Sequence, residues 1–230
     1  MNFENPSKCE IIMHELGYAL MAGFYRRYAR SLGLRGDERV LELGSGGGAL
    51  SRFLAPLLPE GRLTCVDISA AWMDRARRRL ARFDNVEFLC GELADLPIPD
   101  GSQDLAVIHL MLHDVPAEKR QPFITTLTGK LTPTGRVAIR EPISARHSLP
   151  EPELRSLLTT AGLHETSAGH SRNVFMGEMY EGVYGRECAE GLTNAGRGAI
   201  IEHMFDMTTG GRSGCPAIVS IQERRRRSPS

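Results

Sequence analysis

Residues 39–48 read Arg39-Val40-Leu41-Glu42-Leu43-Gly44-Ser45-Gly46-Gly47-Gly48, a short apolar run of β type ending in a glycine-rich turn. Ala49 to Leu58 then carries apolar residues at helical spacing. Strand, glycine turn and helix in that order make a binding site for an adenosine-containing cofactor. Glycine lets a ligand come close to the backbone, and the following helix points free N–H groups at it.

The spacing repeats downstream. Arg62–Asp67 reads as a second buried strand closed by a carboxylate. Asp67 falls roughly 20 residues past the glycines, where a βαβ unit sets an acid against ribose hydroxyls. Val86–Cys90 is a third strand, followed by Gly91-Glu92-Leu93, and Asp104–His109 a fourth with a polar carboxyl end. Leu131-Thr-Pro-Thr-Gly135 reads as a turn into a fifth, Arg136–Arg140. Strands alternating with helical stretches predict an α/β fold, a doubly wound, mainly parallel Rossmann-like sheet. Ligands of such sheets sit at the carboxyl ends of the strands, where Gly46, Asp67, Glu92 and His109 all fall.

Glu42-x-Gly44-x-Gly46, Asp67, Gly91-Glu92 and Pro133-x-Gly135 together resemble class I S-adenosylmethionine-dependent methyltransferases. The likeness is nearest to the small-molecule, quinone-biosynthesis branch and covers about residues 35 to 185. It implies S-adenosyl-L-methionine as cofactor, an antiparallel edge strand, and transfer of a methyl group to a small molecule. By that resemblance Glu42 and the turn Gly44, Ser45, Gly46 would serve the methionine part. Asp67, with Ile68 beside it, would hold the ribose; Glu92 and Leu93 would flank the adenine, and His109 would contact cofactor. Gly48 and Glu92 depart from the more usual hydroxyl residue and Asp.

Gly44-x-Gly46-x-x-Ala49 also fits the dinucleotide fingerprint of a dehydrogenase. Against it, Glu42 would repel a diphosphate in a partly dry site. An acid after the third strand suits an adenine amine, and no Tyr-x-x-x-Lys pair follows the glycines. A protein that binds the cofactor on the same fold without catalysis is the other alternative, because fold does not fix function.

The 230 residues include 28 basic and 28 acidic side chains, so no bulk field draws the chain to nucleic acid or a membrane. No apolar run is long enough to span a bilayer, and the polar segment Met1–Lys8 lacks a signal-peptide core, so a cytoplasmic location is expected. Cys9, Cys65, Cys90, Cys188 and Cys215 show no metal-ligand spacing, and the histidines are unclustered, so no metal is expected. A thiol-based arsenic- or metal-methylating enzyme would instead gather cysteines around the pocket.

Residues 8–32 read as two short helices, opened by the capping box Ser7-x-x-Glu10 and loosened by Gly17 and Gly23. Ile11, Ile12, Leu16, Leu20, Phe24 and Tyr28 approximate an inward apolar stripe. The pattern alone fits a helix packed over the sheet edge; the family resemblance implies that residues 1–34 form a lid over cofactor and substrate, with His14, Tyr18 and Tyr25 reaching inward. Further helices are expected over Ala70–Phe83, capped by Ser69, over Ala117–Leu131 and over Pro150–Ala161. Arg75, Arg77, Arg78 and Arg79 would form a solvated face.

A sulfonium methyl is already electrophilic, so transfer needs mainly an aligned nucleophile. His113 is the candidate proton acceptor, and Glu141 could orient a cationic or hydroxylated acceptor. Residues 35–186 are expected to form the cofactor-binding domain, closed by a hairpin of Leu163–His170 and Phe175–Tyr184. Ala217–Ile221 as last strand is the alternative, at the cost of a long inserted loop. Residues 187–230 read as a partly disordered extension, its Arg224–Arg227 block solvated in preference to lipid-bound.

Overall fold

The computed structural model describes residues 6–144 and 148–186, with backbone alone for residues 8–10. The readings of residues 187–230, of Arg224–Arg227, and of the Glu10 side chain of the capping box lie outside the described residues.

Seven strands form one sheet: β1 Arg39–Leu43, β2 Arg62–Asp67, β3 Val86–Cys90, β4 Gln103–His109, β5 Leu131–Pro142, β6 Leu163–Asn173 and β7 Gly177–Arg186. Their order is β3-β2-β1-β4-β5-β7-β6. The first five are parallel, while β7 inserts antiparallel between β5 and β6. The expected hairpin is therefore the edge of the sheet. β1 lies between β2 and β4, so the strand order reverses there and leaves a crevice at their carboxyl ends.

Six helices flank the sheet: α1 Lys8–Leu20, α2 Ala22–Ser31, α3 Ser51–Leu54, α4 Ala70–Leu80, α5 Ala117–Lys130 and α6 Glu151–Thr160. Side chains alternate across a strand, so each strand feeds both layers. Leu41, Leu43, Ile108, Val137 and Ile139 pack against Ile124 and Leu127 of α5 and Leu154 and Leu158 of α6. Val40, Cys65, Leu105, Val107 and Ala138 meet Tyr25 and Tyr28 of α2, Leu54 of α3, and Met73, Ala76 and Leu80 of α4. No helix among the described residues is long and apolar enough to cross a membrane.

Local departures from the sequence reading have physical causes. The helix expected over residues 49–58 is one α-turn, Ser51–Leu54, tightened into a 3-10 turn, Ala55–Leu57, where Pro56 removes a donor. Pro122 lies inside α5 without ending it. Leu131–Gly135 is strand and not turn: β5 begins at Leu131 and pairs Gln103 before a register shift at Gln103/Leu105. The apolar stripe expected over α1 and α2 holds only at Ile11 and Tyr28, which are buried. Ile12, Leu16 and Leu20 are exposed, whereas Tyr18 is partly buried on the opposite side.

Gly135 shows why the Pro133-x-Gly135 motif ends in glycine. A Cβ there would lie 2.8 Å from the Gln103 carbonyl oxygen and 3.0 Å from the Thr132 nitrogen. Both are backbone atoms of the paired ladder, so neither can yield cheaply. Gly135→Ala should destabilise the fold by about 1–3 kcal/mol, read as a lower denaturant midpoint at unchanged m-value. An unchanged midpoint would show that the register shift absorbs the methyl group.

Candidate cofactor site

The glycine turn leaves β1 at the crevice. Gly44 adopts φ +63°, and a Cβ on it would lie 2.6 Å from the Met111 Cβ. Only glycine combines that conformation with so close a neighbour. Ser45 returns its N–H to the Val66 carbonyl (3.0 Å), fastening the turn to β2. Gly46, at φ +52°, donates its N–H to Oδ2 of Asp67 (2.8 Å), while Oδ1 accepts from the Ser69 N–H (2.9 Å). One carboxylate thus joins the turn after β1 to the cap of α4, where Ser69 Oγ accepts from the Trp72 N–H (3.5 Å). Burial raises the Asp67 pKa, and the two amides oppose that.

Ile68 follows with an exposed side chain, and Leu93 is buried across from it after β3. Glu92 is exposed and pairs with Lys119 (3.2 Å). The carboxyl ends of β2 and β3 therefore offer an apolar ledge with an acid at its rim.

Glu42 occupies a different position from the one its place in the motif implied. It is buried within β1, and the Cys65 thiol donates to its Oε2 (3.8 Å). Burial pushes its pKa up to about 8, which the neighbouring Ser51 hydroxyl and Cys65 offset only in part. The carboxyl is protonated at neutral pH and belongs to the core beneath the turn.

The N-terminal helices cover this end of the sheet. Arg79 of α4 donates to the Gly47 carbonyl and to Oε2 of Glu15 on α1, so one guanidinium ties helix, turn and cover. Arg79 thus leaves the solvated face expected for its neighbours. The Tyr18 hydroxyl lies 3.5 Å from where a Cβ on Gly46 would sit. His14 meets Trp72 edge-on at 5.5 Å, and Tyr18 meets Tyr25 at 6.0 Å. Burial drives the Tyr18 pKa upward and pushes Tyr25 up to about 12. His14, Tyr18 and Tyr25 thus pack among Trp72, one another and His109, with the Tyr18 hydroxyl beside Gly46.

His109 ends β4 on the α2 face, enclosed by Tyr25 (5.2 Å) and Tyr28 (5.0 Å). His113 and Glu141 lie elsewhere. Glu141 is fully buried, and its Oε1 accepts the N–H groups of Met111 (2.9 Å) and Leu112 (2.7 Å). Its Oε2 takes Nδ1 of His113 (2.6 Å). With both oxygens committed, Glu141 fastens β5 to the loop after β4 and does not face an acceptor. Burial alone would lower the His113 pKa. The Glu141 hydrogen bond and charge, with Asp114 at 3.6 Å, outweigh burial and raise it. The imidazole therefore keeps its proton to higher pH than a free histidine, and Nδ1 is committed to Glu141.

Trp72, Arg79 and Glu15 were missed by motif reading. The signal available was weak: Trp72 is the chain's one tryptophan, three residues past the Ser69 cap. Among the described residues no group of His, Cys, Asp or Glu is arranged to hold a metal. Cys65 is buried and Cys90 exposed.

Glu42 makes the fold pH-dependent with a definite sign. Its carboxyl titrates near 4.5 in an ordinary setting and near 8 in the fold. Between those values the native state holds the extra proton, so stability falls as pH rises through that window and levels off above it. Glu42→Gln, neutral throughout, should flatten the decline in denaturation midpoint between about pH 5 and 8. Equal slopes in both proteins would assign the decline to other groups. Arg79→Ala should detach α1, speeding amide exchange over residues 8–20 while leaving the sheet amides protected. Unchanged exchange in α1 would show that aromatic packing alone holds it.

Residues 40–135 match the methyltransferase domain family. Over 108 residues the chain is 38% identical to the arsenite methyltransferase of Halobacterium salinarum, covering 45% of this chain and 27% of that one. Over 135 residues it is 30% identical to the ubiquinone/menaquinone biosynthesis C-methyltransferase of Pseudomonas savastanoi pv. phaseolicola, covering 56% and 52%. The chain thus spans about half or less of the length of the curated relatives it matches. Its fold is shared by N-methyltransferase NodS from Bradyrhizobium japonicum, crystallised with S-adenosyl-L-homocysteine. That likeness has a TM-score of 0.60 at 19% identity and covers 71% of this chain and 88% of that one. The matched residues 40–135 include the glycine turn and Asp67, and the fold around them is the one NodS shares.

Proposed function

We propose that the protein transfers a methyl group from S-adenosyl-L-methionine to a small-molecule acceptor. The observation that carries this reading is the Asp67 carboxylate, anchored by the Gly46 and Ser69 amides at the mouth of the crevice. An acid held there by backbone suits the ribose diol of an adenosine-containing cofactor. The glycine turn supports the same assignment, because a side chain at Gly44 would collide with Met111 and close the approach to the backbone.

In this reading Asp67 receives the ribose hydroxyls, and Ile68 and Leu93 flank the adenine, with Glu92 at its edge. Gly44, Ser45 and Gly46 line the path of the methionine part, and His109 lies beyond them on β4. The bound cofactor supplies the electrophilic methyl group. The chain orients the acceptor and keeps water out, which contributes most of the rate for such a displacement. Tyr18 lies over Gly46 and its helix is latched by Arg79. Residues 1–34 therefore act as a lid that opens for entry and closes for transfer. Relatives named for arsenite and quinone methylation support a small acceptor over a protein or nucleic acid. A cytoplasmic setting belongs to the same proposal.

Calorimetric titration tests the cofactor, and transfer of a labelled methyl group to an acceptor panel tests catalysis. Asp67→Ala should weaken S-adenosylmethionine binding by about 1.5–3 kcal/mol, the worth of charge-assisted hydrogen bonds. Undiminished affinity in the variant would remove Asp67 from the site. Preference of the unaltered protein for NAD would overturn the cofactor.

A further inference from the structure

On the α2 face of the sheet, three polar side chains crowd together at the carboxyl ends of β4 and β5. Arg140 is 3% exposed, His109 7% and Tyr28 3%. His109 and Arg140 are register partners, so their side chains leave the same face side by side. The Arg140 guanidinium lies 3.9 Å from the centre of the Phe24 ring and 4.5 Å from that of Tyr28. Its Nε and Nη2 are taken by Oε1 of Glu181, at 2.9 and 2.6 Å. Ser171 donates to the same oxygen.

What remains is unusual. Arg140 Nη1, His109 Nε2 and the Tyr28 hydroxyl are each buried with no hydrogen-bond partner among the described residues. One such atom costs about 1–3 kcal/mol, more when the group is charged. Three in one cluster are a large standing cost for a fold to carry without use. Cation–π packing and the Glu181 pair explain why α2 stays docked, but neither needs a spare Nη1 or a spare phenol.

We infer that Arg140, His109 and Tyr28 form the acceptor-recognition box, taking a small molecule through an ionisable oxygen of phenol, enol or carboxylic-acid type. Arg140 Nη1 and the Tyr28 hydroxyl donate to that oxygen, and His109 Nε2 lies beside it. Burial and the Arg140 charge keep His109 neutral, so one ring nitrogen still carries a proton to donate. The placement fits the strand order. Asp67 and the glycine turn hold the β2–β1 side of the crevice, and the box occupies the β4–β5 side next to it. A cleft of about 210 Å³ between α2 and the β7–β6 edge is lined by Tyr28 of the box and by Glu181, the partner of Arg140. That is of the order of the space one aromatic ring requires. The acceptor assignment rests on the methyl-transfer reading proposed above.

The probe pair is 4-nitrophenolate and 4-nitroaniline, alike in shape but unlike in charge. Both are titrated in mildly alkaline buffer against the full chain saturated with S-adenosylhomocysteine. The phenolate should bind at least about tenfold more tightly than the aniline, the effect of one charge-assisted hydrogen bond. Arg140→Gln should abolish that preference, and Tyr28→Phe should reduce it several-fold, both with unchanged affinity for S-adenosylhomocysteine. Circular dichroism checks each variant. If Arg140→Gln does not fold, Tyr28→Phe carries the test, since it removes one hydroxyl from an intact ring. Equal binding of the two probes, or a preference untouched by the variants that fold, overturns the box. Failure of S-adenosylhomocysteine to bind, with the phenolate preference intact, would sink the methyl-transfer reading and leave an oxyanion site.

Discussion

The carboxylate of Asp67 is the tie on which this end of the molecule depends. Two chain segments that need not meet, the turn after β1 and the cap of α4, each spend a backbone N–H on it. Without an acceptor there, both amides would face a half-dry crevice unpaired. The same carboxylate closes β2 opposite β1, at the point where the strand order reverses. Two segments of the fold therefore draw on one group, the acid that closes β2. Burial pushes its pKa up while the amides hold it down. The net direction is upward, because burial outweighs the two amides.

From Asp67 the polar groups continue across the sheet on one face. Glu42, His109, Arg140 and Glu181 come from four neighbouring strands, β1, β4, β5 and β7, with apolar residues on the opposite face. Each is handled differently. Glu42 is neutralised by its own proton, His109 is held neutral, and Arg140 is paired with Glu181. A row of buried charges would be prohibitive, whereas a row that is mostly neutral or paired is tolerable. The other face shows the alternative use of an acid. Glu141 has both oxygens bonded and fixes the loop after β4, and through it Met111 against Gly44. One strand, β5, thus supplies a specificity element through Arg140 and a structural one through its immediate neighbour.

The N-terminal helices are attached by groups that a hydrophobicity pattern does not register. Glu15, His14 and Tyr18 turn inward because Arg79 and Trp72 offer a charge and an aromatic surface there. Ile12, Leu16 and Leu20 of α1 are left outside as a consequence, while Ile11 is buried. An attachment built on one ion pair and tilted ring contacts is weaker than a buried aliphatic seam, because partly exposed ion pairs contribute little. This is the property expected of a segment that must release and re-form. Helix α2 is held differently. Tyr25, Tyr28 and Ala29 are in the core, so the break at Met21 separates a loosely held helix from a firmly held one.

The strand and helix alternation, the parallel sheet, the glycine turn and Asp67 at the end of the second strand were all legible in the unfolded chain. These follow from period, turn chemistry and spacing, which are local and do not depend on what packs where. Only the tertiary structure decided which acids face the crevice. Glu42 and Glu141 sit in motif-like positions, yet strand alternation and neighbouring amides bury both. His113 is likewise drawn into a bond with Glu141 from 28 residues away, which no local pattern reports. Arg140 looked like the end of an ordinary strand. Its importance arises because β4 and β5 pair in register and α2 lies across them, bringing His109, Tyr28 and Phe24 around it. Long-range register, not composition, sets that environment, so the candidate acceptor side of the site was invisible until the chain was folded.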